Sequence, residues 1–223
     1  MRTRETRKRH LQVELLEGRF ALGALSGGVV LPPDATPYGY SLTDMARETA
    51  RFTTSGNKQA YYPKTPFQVL YFDPNTVNST LTPNGGLAVT GSNGFTVSPE
   101  TPFYVSLLTA DDSPPVVGNF PTDASGAAGY FFGKDQVGAK DTQIIVDGKS
   151  TSVGAAYLVG PVQTLPLKDG GGTHIITLGV FLSPMSAGTH TVEIKGEFAG
   201  NGIHDTYGFN FIREDFTYTV HVG

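Results

Sequence analysis

Two segments near the C-terminal end of the chain alternate so regularly that they constrain the fold more than any other feature. In Thr189 to Phe198, His190, Val192, Ile194 and Phe198 share one parity, and Thr191, Glu193, Lys195 and Glu197 share the other. Phe216 to Val222 repeats the pattern, with Phe216, Tyr218, Val220 and Val222 set against Thr217, Thr219 and His221. A strand projects successive side chains to opposite faces, so a two-residue period describes a strand with one face dry and one wet.

Other runs fit the same class. Phe67 to Phe72 lies between Pro66 and the turn Asp73-Pro74-Asn75, and Phe95 to Val97 follows the turn residues Ser92-Asn93-Gly94. Phe103 to Leu108 is almost wholly apolar, as expected of a strand covered on both faces. Residues 143–153 place two β-rich arms about Asp147-Gly148, the dipeptide that a type I′ hairpin favours because both central residues need positive φ. His174 to Leu182 follows Gly170-Gly171-Gly172, and the short stretch 183–188 suggests that it forms a hairpin with Thr189 to Phe198. The chain has 28 glycines and 15 prolines but only 16% charged residues, against an ordinary share of about 25%. Seven to nine short strands with punctuated turns imply an all-β fold: a two-layer antiparallel β-sandwich, Ig-like or jelly-roll-like.

One amphipathic helix is expected near residues 41–54. Ser41 and Asp44 form an S-x-x-D start. Leu42, Met45, Ala46, Thr49 and Phe52 make one stripe, Arg47, Glu48 and Arg51 face away, and Gly56 is a stop. A single helix among strands is expected to cover an end or flank of the sheet.

The head of the chain differs in kind from the body. Its first twenty residues hold six Arg or Lys against three Glu, whereas the remainder holds ten basic and seventeen acidic groups. Such a break marks a targeting segment or basic arm. The expected division is therefore a basic N-terminal segment over 1–31, a proline-rich linker over 32–40 and one domain over 41–223. Residues 1–31 carry none of the strand pattern assigned to the body and are expected to be dispensable for folding. Within the head, Leu11, Val13, Glu14, Leu16, Glu17, Arg19, Ala21 and Leu22 form an L-x-V-E-x-L-E-x-R-x-A-L run. It resembles an N-terminal segment of exported planctomycete proteins, with Leu15 and Gly18 where Ala and Asp are common there. The resemblance implies export. Runs at 101–123, 169–194 and 216–222 resemble an uncharacterised family of bacterial extracytoplasmic β-sandwich proteins, which implies architecture and no activity.

There is no cysteine, which excludes a disulfide framework and thiolate metal sites. No run approaches the ~18 apolar residues of a membrane span, so no transmembrane segment is expected. The acidic body argues against nucleic acid as a partner.

Catalytic motifs are missing. Gly148-Lys149-Ser150 lacks the upstream glycine of a phosphate loop, since Gln143 stands there, and neither a G-x-S-x-G elbow nor an H-E-x-x-H helix occurs. His174 and His190 share G-T-H settings but would lie at opposite ends of the expected hairpin, too far apart for one ion. Glu193 and Glu197 read as a solubilising surface. Asp111 and Asp112, before Pro114-Pro115, are Ca2+ candidates that fall far short of six to eight oxygen ligands. His204 and Asp205, in the glycine-rich stretch 199–208, are a candidate loop site. The expected catalytic, cofactor and metal sets are therefore empty.

These readings imply an exported, non-catalytic β-sandwich module outside the cytoplasm, at the cell surface or in the periplasm. Its role would be structural, adhesive or ligand-binding, with a cell-surface polymer or protein as partner. The rival is an extracellular hydrolase of polysaccharide or peptide in which Asp111, Asp112, His204 and Asp205 converge in one pocket. Dispersal of those four would favour the module.

Overall fold

The structure is a computed structural model that describes residues 27–167 and 171–223. The export-type run at 11–22 and Gly170 lie outside the described residues. The described residues hold ten strands: β1 Gln68–Leu70, β2 Asn78–Leu81, β3 Leu87–Val97, β4 Phe103–Asp111, β5 Ala139–Val146, β6 Lys149–Ser152, β7 Leu158–Gln163, β8 His174–Leu182, β9 Gly188–Phe198 and β10 Ile212–Val222. Three helices accompany them: α1 Leu42–Thr54, α2 Ala124–Phe132 and α3 Asn201–Tyr207.

The strands form two mixed sheets, a four-stranded one in the order β1-β4-β8-β7 and a six-stranded one in the order β2-β3-β10-β9-β5-β6. The expected wholly antiparallel pairing is corrected at two places. β10 runs parallel to β3 over eleven residue pairs, Ile212 with Leu87 through Val222 with Val97, and β1 runs parallel to β4. Alternation fixes which face of a strand is dry and leaves the direction of its neighbour open. The parallel partner also explains why Ser92-Asn93-Gly94, read as a turn, lies inside β3: each of the three residues pairs across to β10. The expected hairpin of His174–Leu182 with Thr189–Phe198 is corrected too, because β8 and β9 belong to different sheets.

One apolar cluster joins both sheets. β4 and β8 contribute Val105, Leu107, Leu108, Ile176, Leu178 and Val180, and β3, β5, β9 and β10 contribute Phe95, Ile144, Val192, Ile194, Phe216, Tyr218 and Val220. The facing read for the last strand holds, since Phe216, Tyr218, Val220 and Val222 are all buried while Thr217 and His221 are exposed. A bulge between Ser106 and Leu108 places Leu107 and Leu108 both in this core.

The outer face of the four-stranded sheet is covered by α1. Ser41 caps it in a full capping box, its side chain accepting from the Asp44 N–H while the Asp44 carboxylate accepts from the Ser41 N–H. Leu42, Met45 and Phe52 pack on Val69, Tyr104 and Phe181, and Ala46 and Ala50 on Val162 and Ile175. β4 and β8 are thus dry on both faces, as the apolar run Phe103 to Leu108 predicted.

Two helices escape the sequence pattern. α2 has no charged face, but Asp123 caps its first turn by accepting from the Ser125 and Gly126 N–H groups, and Tyr130 and Phe131 bury against the core. α3 occupies the stretch read as a glycine-rich loop. It is a short helix because Ile203 buries and Gly208 closes the C-terminus at φ 76°. The Asp147-Gly148 turn is as expected, with φ 49° and 79° and Val146 paired to Lys149 across it.

Residues 27–31, read from sequence as part of the arm, lie against β8. Val30 bridges Leu182, the Leu31 N–H donates to the Phe181 carbonyl at 2.9 Å, and Leu31 is buried beside α1. A chain starting at Pro32 is expected to lose roughly 2–4 kcal/mol in denaturant titration, for one buried leucine and its strand hydrogen bonds. Val220→Asp, which sets a carboxylate into the shared core, is expected to abolish cooperative unfolding, whereas Thr219→Asp on the same strand leaves a normal melt by circular dichroism.

Candidate functional site

The four acidic and histidine candidates do not converge. Asp112 turns to the start of β8, where its Oδ1 accepts from the Thr173 N–H at 2.7 Å and the His174 N–H at 2.8 Å, and its Oδ2 meets His174 Nδ1 at 2.9 Å. Burial opposes ionisation of Asp112, but those bonds outweigh it and hold the carboxyl below the usual range. His204 and Asp205 lie on the exposed side of α3, with side chains 61% and 79% accessible and 3.5 Å apart. Asp111 accepts from the Ser113 N–H at 2.8 Å and, alone of the four, lines a cavity. Among the described residues no three His, Asp or Glu side chains gather as a metal set.

The strand-borne pairs are structural. His190 is held through Nδ1 by Asp147 Oδ2 at 2.7 Å and through Nε2 by the Ser186 carbonyl at 2.9 Å. Acceptors at both nitrogens favour the imidazolium, and the Asp147 bond raises the pKa of His190. Glu197 departs from the solubilising role read for it. It is buried on the outer side of β9, with Lys140 Nζ at 3.0 Å and Arg213 Nη2 at 2.7 Å, and these cations overcome its desolvation and lower its pKa.

The group that stands out is Glu214. It occupies the same parity of β10 as Phe216, Tyr218 and Val220, so its carboxylate is directed between the sheets. Two cavities of about 220 and 200 Å3 meet at it, sharing Thr109 and Glu214 in their linings. The first is walled by Phe52, Tyr71, Phe72, Phe216 and Tyr218, with Phe72 stacked on Phe216 at 4.7 Å. The second is walled by Asp111, Tyr130, Phe198, Ile203 and Tyr207. Among the described residues the Glu214 carboxylate has no ion pair and no hydrogen bond. It is half-buried by accessible area, yet the protein crowded around it pushes its pKa up to about 7.

Tyr130 is the second unfulfilled group. Its side chain is 4% exposed, and its hydroxyl has no hydrogen-bond partner among the described residues. Burial, then the neighbouring Tyr207 and Asp111, raise its pKa. α3 supplies Ile203 and Tyr207 to the wall, and α2 supplies Tyr130. Both helices escaped the sequence pattern, so this wall did as well. An unpaired carboxylate and an orphaned hydroxyl around a cavity form a site that a ligand with complementary polar atoms would complete.

No protein-family model matches the chain, and neither a curated protein nor a solved structure matches it.

Two outcomes follow from the electrostatics. A carboxyl raised in the folded state takes up a proton more readily there than in the unfolded chain, so its contribution to stability falls as pH rises from about 4.5 through about 7. Glu214→Gln is therefore expected to stabilise by on the order of 1–3 kcal/mol at pH 8 and by much less at pH 4.5, read from paired thermal melts. The depressed Asp112 works in the opposite sense. Asp112→Ala is expected to cost about 1–3 kcal/mol at pH 7, a deficit that shrinks as pH falls through the carboxylate range, while Asp205→Ala stays within about 0.5 kcal/mol.

Proposed function

We propose that this chain is an exported, non-catalytic ligand-binding module whose two sheets form the layers of a β-sandwich and hold a small cationic ligand between them. The observation that carries the reading is Glu214, an unpaired carboxylate on the dry face of the strand that anchors the six-stranded sheet. A buried charge is costly unless a counter-charge meets it, and a ligand ammonium would provide one. Aromatic faces at Phe72, Phe216 and Tyr218 suit a cation further, and the Tyr130 hydroxyl offers a donor to a ligand oxygen. A cavity of about 200 Å3 admits a small molecule such as an amino alcohol or a single amino sugar. Placement outside the cytoplasm rests on the export-type run in the head and agrees with the lack of cysteine. No described helix is long and apolar enough to cross a membrane.

Calorimetric titration with ethanolamine, glucosamine and putrescine tests the reading. A saturable heat and a raised melting temperature for at least one of them, abolished in Glu214→Gln and weakened in Tyr130→Phe, is the expected result. Failure of all three at millimolar concentration would overturn it.

A hydrolase remains the second reading on one observation. Glu214, its pKa raised to about 7, lines the same cavity as Asp111, which places two carboxyl groups around one cavity. The cavity is too small to admit a polymer chain, and the other three loop candidates point elsewhere, so binding is favoured. Release of sugar or peptide fragments that is lost in both Glu214→Gln and Asp111→Asn would reverse that order.

A further inference from the structure

The outer side of α1 carries a second surface, independent of the cavity at Glu214. Arg47 and Arg51 lie one turn apart on the helix and, with Lys64, line an open groove of about 700 Å3 together with Tyr61, Tyr62, Pro63 and Gln163 to Leu165. Among the described residues the lining sets one acid, Glu48, against these three cations. Arg47 meets Asp44 Oδ1 at 3.5 Å, a long and exposed contact that holds it only weakly, while the cap uses Oδ2. Arg51 is more telling. Its guanidinium lies over the Tyr61 ring, 4.6 Å from the centroid, and its Nε is buried with no hydrogen-bond partner among the described residues. The ring holds the planar donor fork in place before any acceptor arrives, so little freedom is lost when a carboxylate binds.

We propose that this groove binds an acidic polysaccharide, with Arg51 taking a sugar carboxylate. The open shape suits a chain passing through more than an enclosed small molecule. A peptide adding to the neighbouring sheet edge is disfavoured, because β7 carries Pro161 at its centre and has no amide donor there. Tyr61 and Tyr62, both half-buried, add aromatic edges to the lining beside the cations. The whole chain is acidic, with net charge −4, so attraction of a polyanion must come from this local cluster and must weaken with salt.

The test is binding of fluorescently labelled galacturonate oligomers to the full chain at about 50 mM salt, followed by anisotropy, with neutral dextran and poly-glutamate as comparators. The expected result is binding to the uronate alone, lost at high salt and weakened about tenfold or more in Arg51→Ala and in Lys64→Glu. Arg51→Lys, which keeps the charge and loses the fork, is expected to recover only part of the affinity. Lys64 is exposed, so Lys64→Glu should fold normally, and an unchanged melt secures the comparison if Arg51→Ala is destabilised. No binding of the uronate, binding indifferent to both substitutions, equal binding of dextran, or equal binding of poly-glutamate would each overturn the proposal. The cavity variant Glu214→Gln should leave uronate binding unchanged, which separates this groove from the amine site.

Discussion

Register along β10 is the constraint on which the rest of the structure depends. Every residue from Ile212 to Val222 pairs on one side with β3 and on the other with β9. β2 reaches the sheet only through β3, and β5 and β6 only through β9. A slip of one residue would turn Phe216, Tyr218, Val220 and Val222 to solvent and bring Arg213, Asp215, Thr217 and His221 inside. The cost of four exposed core side chains, each worth about 1.5–3 kcal/mol when buried, is comparable to the whole stability of an ordinary domain. The same register directs Glu214 inward, so the candidate site is a consequence of the sheet's own alignment.

Glu197 and Glu214 show what decides the state of a buried carboxylate. Glu197 is the more deeply buried by accessible area, at 6% exposed, yet it titrates below the ordinary range because Lys140 and Arg213 meet both of its oxygens. Glu214 has more accessible area and no cation among the described residues, and it titrates upward. Desolvation acts on both, and the presence or absence of a counter-charge determines the sign. The sheet's outer side has thus resolved its charges internally, while its inner side holds one that is unresolved. That unresolved carboxylate is the observation on which the proposed ligand site rests.

The residues singled out in the sequence do not lie together in the structure, for physical reasons. Asp111 and Asp112 are adjacent in the chain, but β4 ends at Asp111 and Asp112 lies in the bend beyond it, so one reaches the cavity and the other ties the start of β8. His204 and Asp205 seemed to stand in a loop and instead sit on the outer side of a short helix whose other side, Ile203 and Tyr207, forms the wall. The usable signal lay two residues upstream of Phe216. Extending the alternation back through Glu214 to Ile212 places one acid on an otherwise apolar parity, the mismatch on which the proposed site rests. The basic groove had no comparable signal, because Arg47 and Arg51 on the polar side of a helix look like any solvated face until Tyr61 and Lys64 are brought beside them.

Local physics determined what the sequence alone made plain. The α1 capping box and its apolar stripe, the Asp147-Gly148 turn, the dry faces of β9 and β10 and the two-sided burial of β4 all follow from interactions within a few residues, where spacing dictates geometry. Partner choice, strand direction and the assignment of β8 and β9 to separate sheets were decided only by the tertiary structure, since they depend on contacts between segments far apart in the chain whose individual patterns fit either arrangement. α2 belongs with them. Its Ala- and Gly-rich sequence has no polar face to reveal a period, and it is defined by the Asp123 cap together with the core that Tyr130 and Phe131 enter. The cavity at Glu214 exists only where those elements meet, because a site made of residues from β4, β10, α2 and α3 has no representation in any one stretch of the chain.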